Sequence, residues 1–193
     1  MTKKQLTAIQ RILAREAAEF QVRSDRPFPG QHPSENKYAV TDGMICVLMD
    51  SPVSALPLGE QADTFARIVH NERKSEAHFP VPANQIDISR WKAQAKKQRS
   101  QTQRIDLSAP VLLPEQLRVD DLDAPTVVEG HFDPQLLVDA AEAVGGDPLF
   151  FLGYGHFNRH FPSLLVMPPM WLDKSGAESM TQDPIALVLS LRQ

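Results

Sequence analysis

Six cations stand close together in one stretch of this chain with no acid among them: Arg90, Lys92, Lys96, Lys97, Arg99 and Arg104, with Trp91 beside the first two. A cationic helix can neutralise phosphates and release their counterions, and an aromatic side chain can add a stacking surface for a base. The same composition also suits a plain solvated helix face, so both readings stand. Metal chemistry has weaker support. His156 and His160 have the four-residue spacing of two ligands on a helix, but Gly153, Gly155 and Pro162 oppose a helix there and no zincin-type Glu accompanies them. A polar, aromatic turn is the reading that the residues favour. Asp120, Asp121 and Asp123 could approach a hard cation, yet their loop lacks the spacing and bidentate Glu of a calcium hand. Gly153-Tyr154-Gly155-His156 lacks the strand, helix and acidic partner of a dinucleotide fingerprint. With no phosphate loop, nucleophile elbow or paired Cys, no catalytic residue, metal ligand or cofactor is assigned. An enzyme of unrecognised chemistry remains a third reading, because acid–base partners are usually distant in sequence.

Charge and length bound the rest. A net charge of -4 and a pI near 5.8 exclude a globally basic nucleic-acid binder while leaving room for a local patch. The 193 residues can bury a sizeable core, as one large domain or two small ones. Cys46 is the single cysteine and sits in an apolar run, which suggests a small buried hydrophobe in a reducing compartment. No apolar run reaches 18 residues, and charges stand where a signal peptide would need its apolar centre. A cytoplasmic location without a membrane partner is expected.

The elements that must position these residues read as follows. Thr2 and Gln5 can form a capping box, and Leu6, Ile9, Ile12, Leu13, Ala17 and Phe20 predict a helix from Lys3 to Phe20. Its other face carries Lys4, Arg11 and Arg15. Three prolines make 26–33 a loop. Asp42-Gly43 between the apolar runs of Tyr38 to Leu48 predicts a tight hairpin. Residues 59–74 read as a helix, 75–83 as loop or edge strand, and 108–125 as an extended acidic connection. Thr126 to Gly130 is a short strand. Asp133 as N-cap, Pro134 in the first turn and Gly145 at the end delimit a helix, with Leu136, Leu137, Ala140, Ala141 and Val144 on one face and Asp139 and Glu142 off it. Leu149 to Tyr154, Ser163 to Met167 and Ile185 to Leu191 are predicted strands, and 173–183 a loop. Helix plus hairpin occurs twice, as a degenerate duplication.

Phe132-Asp133-Pro134-Gln135-Leu136-Leu137-Val138-Asp139-Ala140, then Gly146-Asp147, then Leu164-Leu165-Val166-Met167-Pro168, resembles one half of a domain of the bacterial sliding clamp, the beta subunit of DNA polymerase III. Thr41-Asp42-Gly43 between strands is similar to a second clamp signature. The resemblance covers about half of the chain. It implies an α+β fold with helices packed on antiparallel sheet, a single clamp-like domain over 1–193 and an insertion at about 52–125. Two small halves, 1–107 and 108–193, are the alternative division. It also implies a non-enzymatic role in DNA replication or processivity, self-association, replication proteins as partners, and contact with duplex DNA backbone. In a clamp, helices of this kind line the DNA hole, so the resemblance adds Lys4, Arg11 and Arg15 as phosphate contacts beside the solvated-face reading. One departure matters: the helix after Asp133 carries Asp139 and Glu142 and no cation, so either this face does not see DNA or the run from Arg90 to Arg104 replaces it. The alternative function is an interaction module that keeps only the fold and binds protein near Phe150, Phe157, Phe161, Met167, Met170 and Trp171.

Overall fold

The computed structural model describes residues 1–22, 38–49, 78–97, 104–111, 127–153, 162–169 and 184–191. Its elements in chain order are α1 (Lys3–Leu13), β1 (Glu19–Val22), β2 (Tyr38–Thr41), β3 (Ile45–Met49), β4 (His78–Pro80), a 3-10 turn (Ala83–Gln85), α2 (Ile88–Lys97), β5 (Ile105–Pro110), β6 (Val127–Phe132), α3 (Pro134–Val144), β7 (Leu149–Gly153), β8 (Ser163–Met167) and β9 (Ile185–Leu189). Seven strands form one antiparallel sheet in the order β1-β2-β3-β9-β8-β7-β4, and β5 and β6 form a separate antiparallel ribbon. The class is α+β with three helices on antiparallel sheet, as the two apolar helix faces require.

The order of the large sheet repeats one pattern of elements. A helix followed by three strands, α1-β1-β2-β3, is laid out on one side of the sheet centre, and α3-β7-β8-β9 on the other. The last strands of the two halves pair with each other, Val47 opposite Ala186 and Cys46 opposite Leu187. The two helices pack on one another, with α1 over β2 and α3 over β9, β3 and β8. Each is 11 residues long. Their N-caps, Thr2 and Asp133, stand at the same separation as Arg11 and Glu142, 131 residues.

Local chemistry sets the ends of both helices. Thr2 and Gln5 form the expected capping box, with the Gln5 Oε1 accepting from Thr2 N–H at 2.6 Å. Asp133 accepts from Gln135 N–H, Pro134 opens the helix, and Gly145 at φ 79° closes it by donating to the Ala141 carbonyl at 2.9 Å. At the hairpin, Asp42 Oδ1 accepts from the N–H groups of Met44 and Ile45, and Gly43 takes φ 87°. That is the geometry Asp-Gly supplies without steric cost.

Strand residues alternate between two apolar layers. Val40, Ile45, Val47, Phe150, Leu152, Leu164, Val166, Ala186 and Val188 join the layer that the helices cover. Ala39, Cys46, Leu48, Leu165, Ile185 and Leu187 form a second, equally buried layer on the opposite face. Burial on both faces explains why these strands read as continuous apolar runs instead of alternating ones. Cys46 is a buried thiol, the expected small hydrophobe. Leu136 and Leu137 are buried in the helix-side layer as expected.

Several expectations need correction. The first helix ends at Leu13 rather than Phe20. After it Arg15 N–H donates to Ile12 O and Ala18 N–H to Arg15 O in tight turns, and Phe20 lies in β1 opposite Val40. The α3 helix is not amphipathic in the simple sense, because nine of its 11 residues are buried: the sheet lies beneath it, α1 along one flank and α2 along the other. Asp139, expected off the apolar face, is fully buried. The segment expected to be an extended connection from Ser108 begins inside a strand, β5, whose Ile105, Leu107 and Ala109 are buried while Asp106 and Pro110 are exposed. The described residues between 52 and 125 form elements of the fold. They supply β4 at one sheet edge, α2 against α3, and β5, which packs near β4 and β7. The expected helix at 59–74 and the loops at 26–33 and 173–183 lie outside the described residues.

Candidate nucleic-acid interface

The cationic helix is real, and its sides are unequal. Asp87 caps it by accepting from Arg90 N–H at 2.8 Å. Trp91 is 2% exposed and meets Phe150 edge-to-face, with ring centroids 5.5 Å apart and planes at 86°. Burial of Trp91 removes the base-stacking role its position among the cations suggested. On the outward side Ser89, Arg90, Ala93, Lys96 and Lys97 are exposed, at the three-and-four spacing of a single stripe. Arg104, just before β5, is exposed as well. Among the described residues, Arg90, Lys96, Lys97 and Arg104 form no ion pair. The helix contains no acid. Arg99 lies outside the described residues.

The remaining cations of the expected set meet a different environment. Lys4 is exposed on α1. Arg11 in the last turn of α1 and Arg15 just after it turn onto α3 and join a six-membered cluster. Arg11 Nε donates to Asp139 Oδ1 at 2.9 Å and Arg11 Nη2 to Glu142 Oε2 at 2.6 Å. Arg15 bridges Asp139 and the hairpin residue Asp42. Lys92 reaches the other oxygen of Glu142 at 2.7 Å. Gln135 Nε2 adds a hydrogen bond to Asp139 Oδ1 at 2.9 Å. Three cations thus face three carboxylates, tying the β2–β3 turn, α1, α3 and α2 together. This is where the acids that interrupted the clamp-like pattern are used: Asp139 and Glu142 face α1 and α2.

Burial acts on each titrating group before its partners do. It pushes the Asp139 carboxyl above its usual value, and the hydrogen bond and charge of Arg11, the charge of Arg15 and the Gln135 amide offset that only in part. For Glu142 burial also works upward, but the hydrogen bonds and charges of Lys92 and Arg11 prevail, and its value is lowered. Burial works against the Arg11 charge too, yet Glu142 and Asp139 hold it above its usual value.

A second contact was not visible in sequence. Gln5 is buried, and besides its capping box its Nε2 donates to the Val144 carbonyl at the end of α3, at 2.7 Å. One side chain therefore caps the start of one helix and the end of the other. On the ribbon, His131 Nδ1 lies 2.6 Å from Asp106 Oδ1, directly across from it in register. A His–Asp pair can orient an imidazole, but Asp106 is 78% exposed, and we read this one as a cross-strand contact in water. Sequence offered no signal for the ion-pair cluster, whose partners lie 27 to 131 residues apart.

His156, His160, Asp120, Asp121 and Asp123 lie outside the described residues, as do Phe157, Phe161, Met170 and Trp171. Of the apolar residues expected near that surface, Phe150 is buried beneath α2 and Met167 half-buried in the second layer. Among the described residues, no group of three or more His, Cys, Asp or Glu is placed to hold a metal ion, and no helix is long and apolar enough to cross a membrane. No family model, curated protein or solved structure matches the chain.

Proposed function

We propose that this protein is a non-enzymatic, clamp-like accessory factor of DNA replication that holds duplex DNA by its phosphates. The carrying observation is the stripe of Arg90, Lys96 and Lys97 on α2, exposed and unpaired among the described residues on a chain that is otherwise acidic. Such side chains attract a polyanion and carry no base code, so binding should be insensitive to sequence and strongly sensitive to salt. With Trp91 buried, nothing on this stripe stacks on an unpaired base, which favours duplex over single strand. The two helix-and-three-strand halves joined through β3 and β9 support the clamp-like organisation, with self-association and replication proteins as its further partners.

Lys4 and Arg104 flank this reading as exposed cations, whereas Arg11, Arg15 and Lys92 are paired with carboxylates of the fold. That pairing is the observation favouring the second reading, a protein-interaction module that has kept only the fold. Fluorescence anisotropy on two unrelated duplexes, between 50 and 200 mM salt, separates the two. Replacing Arg90, Lys96 and Lys97 together with Gln should weaken both duplexes equally and make the salt slope shallower by up to about 2.7, at roughly 0.9 per phosphate. Wild-type protein that leaves duplex DNA unbound at the lowest salt would overturn the proposal.

A further inference from the structure

Two cations beside the exposed stripe are held back by one carboxylate. Lys92 stands four residues before Lys96, hence one turn away on the same side of α2. Its side chain is 39% exposed, and that of Arg11, on the neighbouring helix, 38%. Both converge on Glu142, whose side chain is only 12% exposed and whose two oxygens take one cation each, at 2.7 and 2.6 Å. Glu142 thus occupies the position that a phosphate would take between a lysine and an arginine, with one oxygen for each donor. Neither cation has used all its donors: Lys92 has three and spends one on Glu142, and no described partner meets Arg11 Nη1.

We infer that Glu142 is an internal competitor for phosphate, which limits the reach of the α2 stripe by keeping Lys92 and Arg11 from the DNA backbone. The inference rests on the phosphate-contact reading and sets its strength. Removing the Glu142 charge frees Lys92 to extend the row of Lys96, and leaves Arg11, anchored through Nε to Asp139, with its remaining N–H groups to offer beside it. The bound site then spans two helices instead of one.

The test is duplex binding by Glu142→Gln, which keeps the side-chain shape and loses the charge. The variant should bind more tightly than wild type at 50 mM salt, with a slope steeper by about 0.9, or about 1.8 if both cations engage. Its advantage should shrink by about 3.5-fold per gained contact between 50 and 200 mM. In a Lys92→Ala background the same substitution should gain one contact fewer. A wild type that binds while Glu142→Gln binds no better overturns the inference and leaves the reading intact. A silent wild type with a binding variant supports the inference and overturns the reading for the native chain, and silence in both overturns both. Lysine acetylation of the wild type tests the same point without a variant. Duplex DNA should protect Lys96 and Lys97 and leave Lys92 unchanged, and equal protection of Lys92 would overturn the inference.

Discussion

Replacing Asp139 with Ala should destabilise the fold substantially, and the structure sets the size. Asp139 has a fully buried side chain on α3 that answers Arg11 of α1, Arg15 just beyond it and the Gln135 amide. Deleting one partner of a buried ion pair costs about 3 to 5 kcal/mol, because the charge left behind is buried and alone. Here the arginines are not left alone: Arg11 keeps Glu142, Arg15 keeps Asp42, and their side chains are 38% and 25% exposed. We therefore expect about 2 to 3 kcal/mol, below the fully buried case. For a chain of this size that is a fall in Tm of about 4 to 12 °C. Circular dichroism under heating and urea titration would measure it, with the midpoint shifting at constant m if the mechanism is local. Asp139→Asn keeps the shape and should cost less than Ala. Combined with Arg15→Ala, Asp139→Ala should cost less than the sum of the two by more than about 0.5 kcal/mol. A loss below about 0.5 kcal/mol for Asp139→Ala, the size of an ordinary surface change, would refute the reasoning.

Three other outcomes follow from the same packing. Leu137→Ala, at a fully buried site on α3, should cost about 2 to 5 kcal/mol in urea titration, and unchanged stability would mean that the helix does not seat on the sheet. Gln5→Ala removes the capping-box partner of Thr2 and strips the Val144 carbonyl of its donor, for a loss of about 1 to 3 kcal/mol by thermal denaturation, while Gln5→Glu should spare the box and lose the Val144 bond. Glu142, whose folded pKa is lowered, contributes stability that is fully present above its ordinary value of 4.5 and is lost as pH falls through the folded value. Asp139, with a raised value, acts with the opposite sign, so Glu142→Gln should selectively flatten the acid-side loss in stability measured against pH, and an unchanged profile would count against the lowered value.

What the sequence disclosed was what neighbours in sequence decide. The capping box at Thr2, the cap and stop of α3, the Asp42-Gly43 turn and strands β7, β8 and β9 all rest on contacts within a few residues, and each is found within one or two residues of its expected place. The end of α1 escaped because the apolar period runs on through Ala17 to Phe20 with no glycine to mark a stop, while Arg15 is drawn out of helical register by Asp42 and Asp139. The alternation of Ile105, Leu107 and Ala109 in β5 stands in the sequence, while Pro110 at its end and the acids beyond it have the composition of a connection. Trp91 and the six-membered cluster could not be read at all, since a buried indole and a solvated one have the same neighbours in sequence. The same limit governed the candidate interface: the cations were visible, and which of them the protein had already neutralised was not.

The correspondence between Arg11 and Glu142 has a consequence for assembly. When two identical units meet about a two-fold axis, a residue near the axis faces its own copy and must be neutral or tolerate its own charge. The two halves of this chain place Arg11 and Glu142 at matching positions of their helices, 131 residues apart, and there the two attract. A first half exchanged for a second copy of itself would set Arg11 against Arg11, and a duplicated second half would set Glu142 against Glu142. Joining the halves in one polypeptide sets opposite charges at these matched positions, where two copies of either half would set like charges.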